Sequence, residues 1–390
     1  MKKTIEEDRI VVYPTGKITA ENATAFSDEL HEAFKDPTLT AVVDARDLVY
    51  ISSAGLRALL TIAQNRQDKL LIINTCPDVY DIFEITGFSE IMDVRKKMRV
   101  ISTEGCALIG KGAFGTVYRI DDETIVKVYR SSEDLPLIQM EQDRARRAFV
   151  LGIPTAIPFD IVQVGDSYGA VFESLRAENL KEVYLQNPDQ KDELLRKYVQ
   201  LMRKIHAAKA NPEDLPSARN IFLRYIEDLK AILPEDLSAR LRQLLSDMPD
   251  NLHITHGDMQ MANVMMNGDE LIVIDMETLS TGNPVFDLQA LYVCYVAFNE
   301  DDPKNSEVFM GMTDAQCQEV WNGILTQYFD GCTPEEIRRR EDRIRVLGSL
   351  RFLDRIVTNN MTAPELKEVR VRHTLEHLRE LLQRTDTLEI

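Results

Sequence analysis

The segment that decides the fold of most of this chain is LHITHGDMQMANVMMNGDELIVIDMETLSTGNPVFDLQ, residues 252–289. A short apolar strand leads into a His-Gly-Asp run that ends at Asp258, and Asn263 follows five positions later. Two further short strands flank an Asn-Gly hairpin turn, and the second strand leads to Asp275. The pattern predicts that two carboxylates and one amide lie together at one end of this hairpin.

Phosphoryl transfer requires this set of side chains. One carboxylate orients the attacking hydroxyl and accepts its proton, while an amide and a second carboxylate hold Mg²⁺ against the phosphates. A single His, Asp or Asn in a loop is more often a turn or capping residue. The set favours a kinase-like function only because further elements of such a site occur in the expected order along the chain.

A glycine-rich loop lies upstream, in ALIGKGAFGTVYRIDDETIVKVYR, residues 107–130. Gly110, Gly112 and Gly115 fit the G-x-G-x-x-G pattern. In a dinucleotide-binding fold this pattern opens a helix, whereas here a strand returns directly, so we predict a β-hairpin and exclude the Rossmann interpretation. Glycines let backbone N–H groups approach nucleotide phosphates, and Lys127 on the next strand supplies a positive charge.

The helix predicted over 138–151 contains one glutamate, Glu141, which we expect to hold Lys127. The alternative is an ordinary solvated glutamate. A hairpin over 162–173 then ends at Glu173, which predicts a five-stranded lobe followed by a hinge. The rest of the pattern is helical, with helices predicted at 192–206, 221–245 and 288–298 and a long helical stretch to the C-terminus.

Residues 1–100 alternate short β-branched runs with helical stretches, which predicts an α/β unit. Its distinctive segment is DLVYISSAGLRALL, residues 47–60, where small residues lead from a strand into an amphipathic helix. Ser52 or Ser53 can simply cap that helix, because a serine oxygen accepts its free backbone N–H groups. The position also suits a reversible phosphoserine, since a phosphate there meets those N–H groups and the positive end of the helix dipole.

Residues 52–56, SSAGL, resemble the D/S-S-x-G-L pattern of the STAS family, the sulfate transporter and anti-sigma factor antagonist domains. The resemblance covers residues 1–100 and implies an interaction module without chemistry of its own, hence a regulatory protein partner. In antagonists of this family the second residue of the pattern is a phosphorylatable serine. Ser53 is therefore the implied phosphosite, and Ser52, which stands where an aspartate is usual, is the weaker candidate.

Residues 256–263, HGDMQMAN, and 274–278, IDMET, resemble the HGDxxxxN and I/V-D-x-E motifs of aminoglycoside phosphotransferase-like kinases, a branch of the protein-kinase-like fold. The resemblance implies an ATP-dependent phosphotransferase. It makes Asp258 the catalytic base and Asn263 and Asp275 the Mg²⁺ ligands.

The resemblance also implies roles for residues around these motifs. Lys127 contacts the α- and β-phosphates of ATP, with Glu141 as its partner. His256 is a structural member of the catalytic loop, and Asp287 braces that loop from the following helix. Further contacts to ATP are implied for the glycine loop and the hinge, at Gly110, Gly112, Gly115, Val117 and Glu173.

We therefore expect an α/β STAS-like domain over residues 1–100 and an α+β bilobal protein-kinase-like domain, of the aminoglycoside phosphotransferase type, over 107–390. A short connector, 101–106, joins them. The N-lobe is expected at about 107–174 and the C-lobe at about 175–390.

The acceptor is the open question. The chain has no HRD arginine and no DFG, and no APE closes an activation segment, which argues against a peptide-docking platform and favours a hydroxyl of a small molecule. The loop GKGAFGTVY nevertheless resembles that of protein kinases, so a protein serine/threonine kinase in a STAS partner-switching pathway is an alternative. A nucleotide-sensing pseudokinase scaffold is another, although every member of the catalytic set is present.

The charge balance bears on partners. Lys and Arg total 46 against 64 Asp and Glu, a net charge of −18, of which residues 1–100 carry only −3. Such acidity repels phosphate backbones, so no nucleic-acid partner is expected. The acidic run 300–302 could bind a cationic substrate, although such runs are usually solvated loops.

Other features indicate the compartment and exclude a decoy site. Five cysteines without a CxxC pair indicate reduced thiols and a cytoplasmic protein. The N-terminus lacks the apolar region of a signal peptide, and no stretch approaches 18 apolar residues, so no membrane association is expected. HTLEH, residues 373–377, matches a zinc-peptidase pattern but lies in an ordinary amphipathic helix, so no zinc site is expected.

Overall fold

The computed structural model describes residues 1–6, 8–66, 68–111 and 115–390. Its backbone contacts divide the chain into two units, Met1–Ser102 and Thr103–Ile390. Each unit buries its own set of apolar side chains.

The first unit is an α/β domain. Its central sheet has the order β1-β2-β4-β6-β7, antiparallel between β1 and β2 and parallel from β2 onwards, and a small parallel pair joins β3 to β5. The elements are β1 (Lys2–Glu6), β2 (Arg9–Tyr13), β3 (Thr15–Ile18), α1 (Ala23–Ala33), β4 (Thr40–Asp44), β5 (Asp47–Ile51), α2 (Ser53–Gln64), β6 (Leu71–Thr75), α3 (Pro77–Ile85), α4 (Phe88–Ile91) and β7 (Asp93–Lys96), followed by β8 (Arg99–Ile101).

Apolar side chains at sheet and helix spacing build the core of this unit. Val12 and Val43 lie buried on neighbouring parallel strands, and Leu30 of α1, Leu59 of α2 and Phe83 of α3 are buried in the same cluster. The strands are continuous β-branched runs and the helix residues lie on apolar stripes, as the sequence predicts. The expected α/β fold is confirmed.

The second unit begins with an antiparallel sheet whose strands follow the order β12-β13-β11-β10-β9 within this unit. The glycine-loop strands pair antiparallel, as expected, and Val117 lies opposite Lys127 in the next strand. The elements are β9 (Ala107–Lys111), β10 (Gly115–Arg119), β11 (Thr124–Tyr129), a 3-10 turn (Ser132–Asp134), α5 (Leu135–Val150), β12 (Pro158–Val164) and β13 (Ser167–Glu173).

The remainder is mainly helical, with short strands that carry the catalytic segment. Its elements are β14 (Glu178–Asn179), α6 (Leu180–Gln186), α7 (Lys191–Ala207), α8 (Ala218–Asp228), α9 (Glu235–Ser246), β15 (Ile254–Thr255), β16 (Val264–Asn267), β17 (Glu270–Val273), β18 (Ser280–Thr281), α10 (Val285–Tyr292), a π-helical stretch (Val293–Ala297), α11 (Phe298–Glu300), α12 (Asn305–Phe309), α13 (Asp314–Tyr328), α14 (Pro334–Val357) and α15 (Pro364–Arg384), with 3-10 turns at Pro188–Gln190, Met261–Asn263 and Met276–Thr278.

Two helical predictions need correction. The stretch 221–245 forms two helices, α8 and α9, because Pro234 stands just before the first turn of α9 and cannot continue the preceding helix. The stretch 288–298 is not one regular α-helix, since residues 293–297 adopt π-helical hydrogen bonding. Such a widened turn frequently occurs at functional sites.

Candidate active site

Three charged side chains of the second unit meet beside the glycine loop. Lys127 on β11 donates from Nζ to both carboxylate oxygens of Glu141 on α5, at 2.8 and 3.0 Å. The same Nζ lies 3.2 Å from Oδ1 of Asp275, which follows β17. The structure thus brings together a lysine and two acids that are up to 148 positions apart in sequence.

Tyr129 is a member of this cluster that the sequence did not reveal. It is two residues after Lys127 on β11, buried, and its hydroxyl donates to Oε2 of Glu141. Burial, followed by the negative charge of Glu141, raises the pKa of the phenol well above its usual value, so it stays a neutral donor. The sequence feature that could have identified Tyr129 is its spacing of two residues from Lys127, which places both side chains on one face of the strand.

The catalytic loop brings Asp258 and Asn263 into direct contact. Nδ2 of Asn263 donates to Oδ2 of Asp258 at 3.0 Å and to its backbone oxygen at 2.9 Å. Gln260 donates to the same Oδ2 at 3.3 Å. Because the amide nitrogen of Asn263 is engaged by Asp258, its side-chain oxygen is the atom left for a cation. The backbone oxygen of Asn263 accepts from Ile274, which ties the loop to the residue before Asp275.

Asp287 holds the loop from α10. It is fully buried, its carboxylate accepts the backbone N–H groups of His256 (2.9 Å) and Gly257, and Nε2 of His206 lies 2.8 Å away. Burial alone would raise its pKa, but the hydrogen bond and charge of His206 outweigh burial and hold the pKa below its usual range. His206 on α7 is a supporting residue that the sequence analysis did not identify.

His256 has a structural position. Its Nδ1 accepts the backbone N–H of Asp258 at 3.2 Å, and Nε2 therefore carries the proton that it shares with the backbone oxygen of Ile274 at 3.1 Å. Gly257 beside it has a φ of 81°, and an added Cβ would lie 2.8 Å from the backbone oxygen of Thr278. Only glycine fits this left-handed position without strain.

A carboxylate cluster suited to a metal ion lies at the same place. Glu141, Asp275 and Glu277 each offer an oxygen within 4.8 Å of the others, an oxygen-rich set of the kind Mg²⁺ prefers. Burial, and then the charge of Asp275, raise the pKa of Glu277 to about 7. Asp275 has a φ of 70°, an uncommon conformation for a residue with a side chain and typical of constrained functional positions. The donor set therefore fits the implied cation, with Glu277 as an additional acid.

A cavity of about 460 Å³ opens beside these acids. Its lining is mainly apolar away from Lys127, with side chains from the glycine-loop strands and from the hinge segment. The residues that line it include Ile109, Gly110, Gly115, Val117, Ala156, Phe172, Glu173, Leu175, Met265 and Ile274. The implied contact residues of the glycine loop and hinge thus border one cavity, except Gly112, which lies outside the described residues.

Two of these positions carry a sharper constraint. A Cβ added at Gly115 would overlap the backbone oxygen of Val128, so no side chain fits where β10 meets β11. Glu173 donates its backbone N–H to Ile157 at 2.9 Å, and Ser174 donates to Glu123 at 2.7 Å. Both backbone N–H groups are therefore engaged within the protein.

The serines of the first unit divide their roles. Ser52 is the N-cap of α2, and its hydroxyl accepts from the backbone N–H of Gly55 at 3.4 Å. Ser53 is the first residue of the helix and is exposed. The capping interpretation thus applies to Ser52, and the hydroxyl of Ser53 is accessible.

Residues of the acidic run 300–302 and of the HTLEH run, the two secondary sites considered from the sequence, form ion pairs. In the acidic run, Glu300 lies 3.5 Å from Arg345, and Asp301 lies 2.5 Å from His373. His373 of the HTLEH run is therefore bonded to a carboxylate. Within the described ranges, three His, Cys, Asp or Glu side chains lie close enough to share a metal ion only at Glu141, Asp275 and Glu277.

Three features together define a kinase-like phosphotransferase. They are the topology of the two lobes, a lysine paired with a helix glutamate, and an HGDxxxxN loop. The model of the phosphotransferase enzyme family (APH) matches residues 105–310, and the chain belongs to that family. The STAS domain model matches residues 1–103. BtrV of Bordetella bronchiseptica, provisionally described as an anti-sigma factor antagonist, is 32% identical over 99 residues, which cover 24% of this chain and 85% of BtrV. The first unit is a STAS domain.

Two solved structures are similar to part of this chain. The ADP-bound aminoglycoside phosphotransferase APH(2'')-Ib is 16% identical, with a TM-score of 0.49, over 71% of this chain and 94% of its own. A choline/ethanolamine kinase family protein from Mesorhizobium loti is also 16% identical, with a TM-score of 0.45, over 71% of this chain and 88% of its own.

Among the helices of the described residues, none is long and apolar enough to cross a membrane.

Proposed function

We propose that this protein transfers the γ-phosphate of ATP to a hydroxyl of a small molecule, with the STAS domain as a regulatory module. The observation that carries the proposal is the meeting of Lys127, Glu141 and Asp275 within 3.2 Å beside a cavity bordered by the glycine loop. A lysine held between two acids is arranged to bind phosphate oxygens without losing its charge. Burial lowers the pKa of Lys127, but the charges of Glu141 and Asp275 raise it by more than burial lowers it, so the pKa lies above its usual value.

The residues suggest a division of work. The Lys127 ammonium binds phosphate oxygens, and Glu141 fixes its position, in turn held by Tyr129. Asp258 orients the acceptor hydroxyl and takes its proton, while the hydrogen bond from Asn263 fixes the carboxylate rotamer.

Asp275, with the oxygen of Asn263 and the neighbouring Glu277, would hold Mg²⁺. When bound, the cation neutralises charge on the phosphates. The apolar lining of the cavity, including Val117 and Phe172, suits the adenine ring. Because Glu173 and Ser174 donate their N–H groups within the protein, we propose that Leu175 supplies the backbone donor for the base.

The test uses purified full-length protein, ATP labelled in the γ-phosphate, Mg²⁺ and a panel of small hydroxylated acceptors. We expect label transfer in the wild type and a loss of at least about 1000-fold in Asp258→Asn, which removes the base but keeps its shape. Binding of a non-hydrolysable ATP analogue should survive in that variant. Absence of both nucleotide binding and label transfer in the wild type would contradict the proposal.

A second candidate is a protein-serine kinase that acts on the STAS loop. The observation in its favour is that Ser53 is exposed at a helix start, in a chain that also carries a kinase-like site. Mass spectrometry after incubation with ATP distinguishes the two. Phosphate on Ser53 that is absent from Asp258→Asn supports this candidate, and no phosphoserine on the chain or on an added STAS partner excludes it.

We also propose a protein partner for the STAS domain and a cytoplasmic location. BtrV, which the first unit resembles, is described as an antagonist of an anti-sigma factor, a role exercised by binding protein. The five cysteines are all free thiols, which suits a reducing compartment.

A further inference from the structure

An arginine of α5 reaches the segment that follows Asp275. Nη1 of Arg144 donates to the backbone oxygen of Glu277, and this contact joins residues that are 133 positions apart in the sequence. Glu277 lies two residues after Asp275, in the 3-10 turn Met276–Thr278. Arg144 is half-buried, so its long side chain is ordered between the helix and the turn. The guanidinium therefore holds this turn against α5.

Arg144 lies on the same face of α5 as Glu141, because residues three positions apart on a helix are neighbours. Glu141 accepts from Nζ of Lys127 at 2.8 and 3.0 Å. A single turn of α5 thus holds two parts of the site, since Glu141 fixes the lysine and Arg144 fixes the turn after Asp275. Together the two contacts set the separation of Lys127 and Asp275, whose charged atoms lie 3.2 Å apart.

The backbone at Asp275 needs such support. Asp275 has a φ of 70°, a conformation that costs energy in a residue with a side chain and persists only where the surrounding contacts fix it. On the side of the catalytic loop, Oγ1 of Thr278 donates to the backbone oxygen of His256 at 2.6 Å. The turn after Asp275 is therefore fixed to the catalytic loop by Thr278 and to α5 by Arg144.

The contact of Arg144 is made to the backbone of the turn. Glu141, Asp275 and Glu277 each offer a carboxylate oxygen within 4.8 Å of the others, and three such charges repel one another unless a cation or the backbone holds them in place. Because the guanidinium of Arg144 donates to the carbonyl of Glu277, it holds the turn without using a carboxylate oxygen. The carboxylates remain the donors for a cation.

Two neighbouring arginines of α5 make contacts of a different kind. Arg146 is exposed and donates to the backbone oxygen of Phe159 at 3.1 Å, on a strand of the sheet. Arg147 is exposed and forms an ion pair with Asp214, and pairs at the surface contribute little to stability. Neither of these contacts involves a residue of the site. Arg147 is therefore a suitable control for Arg144.

We propose that Arg144 is a positioning residue of the phosphotransfer site, which fixes Asp275 in the place where it holds Mg²⁺ by anchoring the turn that follows it. The inference rests on the proposed phosphotransferase function and adds a residue to that site. Residues that orient a metal ligand affect metal affinity nearly as strongly as some ligands do. Because Arg144 acts through the backbone of the turn, its loss should weaken the hold on the cation and leave the nucleotide cavity intact.

The test is a binding experiment that needs no acceptor. A non-hydrolysable ATP analogue is titrated into full-length wild type, Arg144→Gln and Arg147→Gln, once with excess Mg²⁺ and once with EDTA. The ratio of the two dissociation constants measures how much Mg²⁺ strengthens nucleotide binding. We expect this ratio to fall about 10-fold in Arg144→Gln, with the dissociation constant in EDTA unchanged. Arg147→Gln, the matched control on the same helix, should keep the wild-type ratio.

Arg144→Lys keeps the charge and one donor, so its ratio should lie about 3-fold below that of the wild type, and this variant is read alone if Arg144→Gln does not fold. Binding that weakens equally with and without Mg²⁺ would assign Arg144 to the fold alone and overturn the inference. A wild-type ratio in the Arg144 variants, or a wild type whose binding Mg²⁺ does not strengthen, overturns it as well. Each of these results leaves nucleotide binding by the proposed phosphotransferase intact, whereas failure of the wild type to bind the analogue sinks both.

Discussion

The hydroxyl of Tyr129 gives the Lys127–Glu141 pair a third support. Because it donates to one oxygen of Glu141, it fixes the carboxylate that in turn fixes the lysine. We predict that Tyr129→Phe raises the KM for ATP about 3- to 10-fold with a smaller change in kcat, as loss of one hydrogen bond to a charged group suggests. Steady-state kinetics with varied ATP measures this.

Tyr118→Phe is the control for that variant. Tyr118 is on β10 next to Val117, which lines the cavity, so its own side chain lies on the other face of the strand. Its removal should leave the KM for ATP unchanged. Equal kinetics in both variants would mean that Tyr129 supports the fold and not the position of the lysine.

Asp287 makes the stability of the second unit depend on pH in the acidic range. Its folded pKa lies below the usual value of about 3.9, so its contribution is complete above pH 5 and is lost as pH falls through and below 4. Asp287→Asn removes the charge that accepts from His256, Gly257 and His206. We predict a loss of about 3 kcal/mol at pH 7 and a shallower decline between pH 5 and 3.

Urea denaturation of the full chain at several pH values measures this, read at the transition of the second unit. Asp269→Asn is the control, because Asp269 also pairs with a base, Lys197, but is fully exposed. Because this ion pair is exposed to solvent, Asp269→Asn should change the pH dependence much less than Asp287→Asn does. A decline of Asp287→Asn parallel to that of the wild type would exclude Asp287 as the titrating group.

Two adjacent serines at the start of helix α2, Ser52 and Ser53, have different structural roles. Ser52 accepts a backbone N–H of the first turn, whereas Ser53 points to solvent. We predict that Ser52→Ala costs about 1 kcal/mol of the unfolding free energy of the first unit, the usual effect of removing an N-cap. Ser53→Ala, the matched control, should change it by a few tenths at most. Urea midpoints decide, and equal losses in both would contradict the capping assignment.

Elements with a buried apolar period were the predictable ones. Strands β2, β4 and β6 read as β-branched runs because both of their faces are covered. The edge strand β1, KKTIE, escaped detection, since four of its five residues are exposed and Ile5 is a single apolar side chain among polar ones. The sheet order could not be derived either, because pairing is set by contacts that a local pattern does not contain.

The same division holds for the site. The Asp258–Asn263 contact lies within one loop, so its spacing was visible in the sequence. The contact of Arg351 with Gly257 spans 94 positions and has no motif, and an arginine in an amphipathic helix is ordinarily taken for a surface residue. Long-range partners of this kind follow from helix packing, which sequence alone does not give.

The two units of the molecule differ in net charge, and each has its own hydrophobic core. The first hundred residues carry a net charge of −3, so −15 remains for the other 290. Each unit has its own buried apolar cluster, and neither cluster includes residues of the other unit. Because cooperativity follows from shared packing, separate cores are expected to melt separately.

A matched pair of helical glycines tests this independence. A Cβ at Gly55 of α2 would lie 2.7 Å from Ile18 and 2.8 Å from Ile51, and one at Gly348 of α14 would overlap the ring of Tyr292. Overpacking of this kind costs about 1–3 kcal/mol. We predict that calorimetry of the full chain shows two transitions, that Gly55→Ala lowers only one and Gly348→Ala only the other, and that an ATP analogue with Mg²⁺ raises only the second. A single transition lowered by both variants would show that the two cores unfold as one.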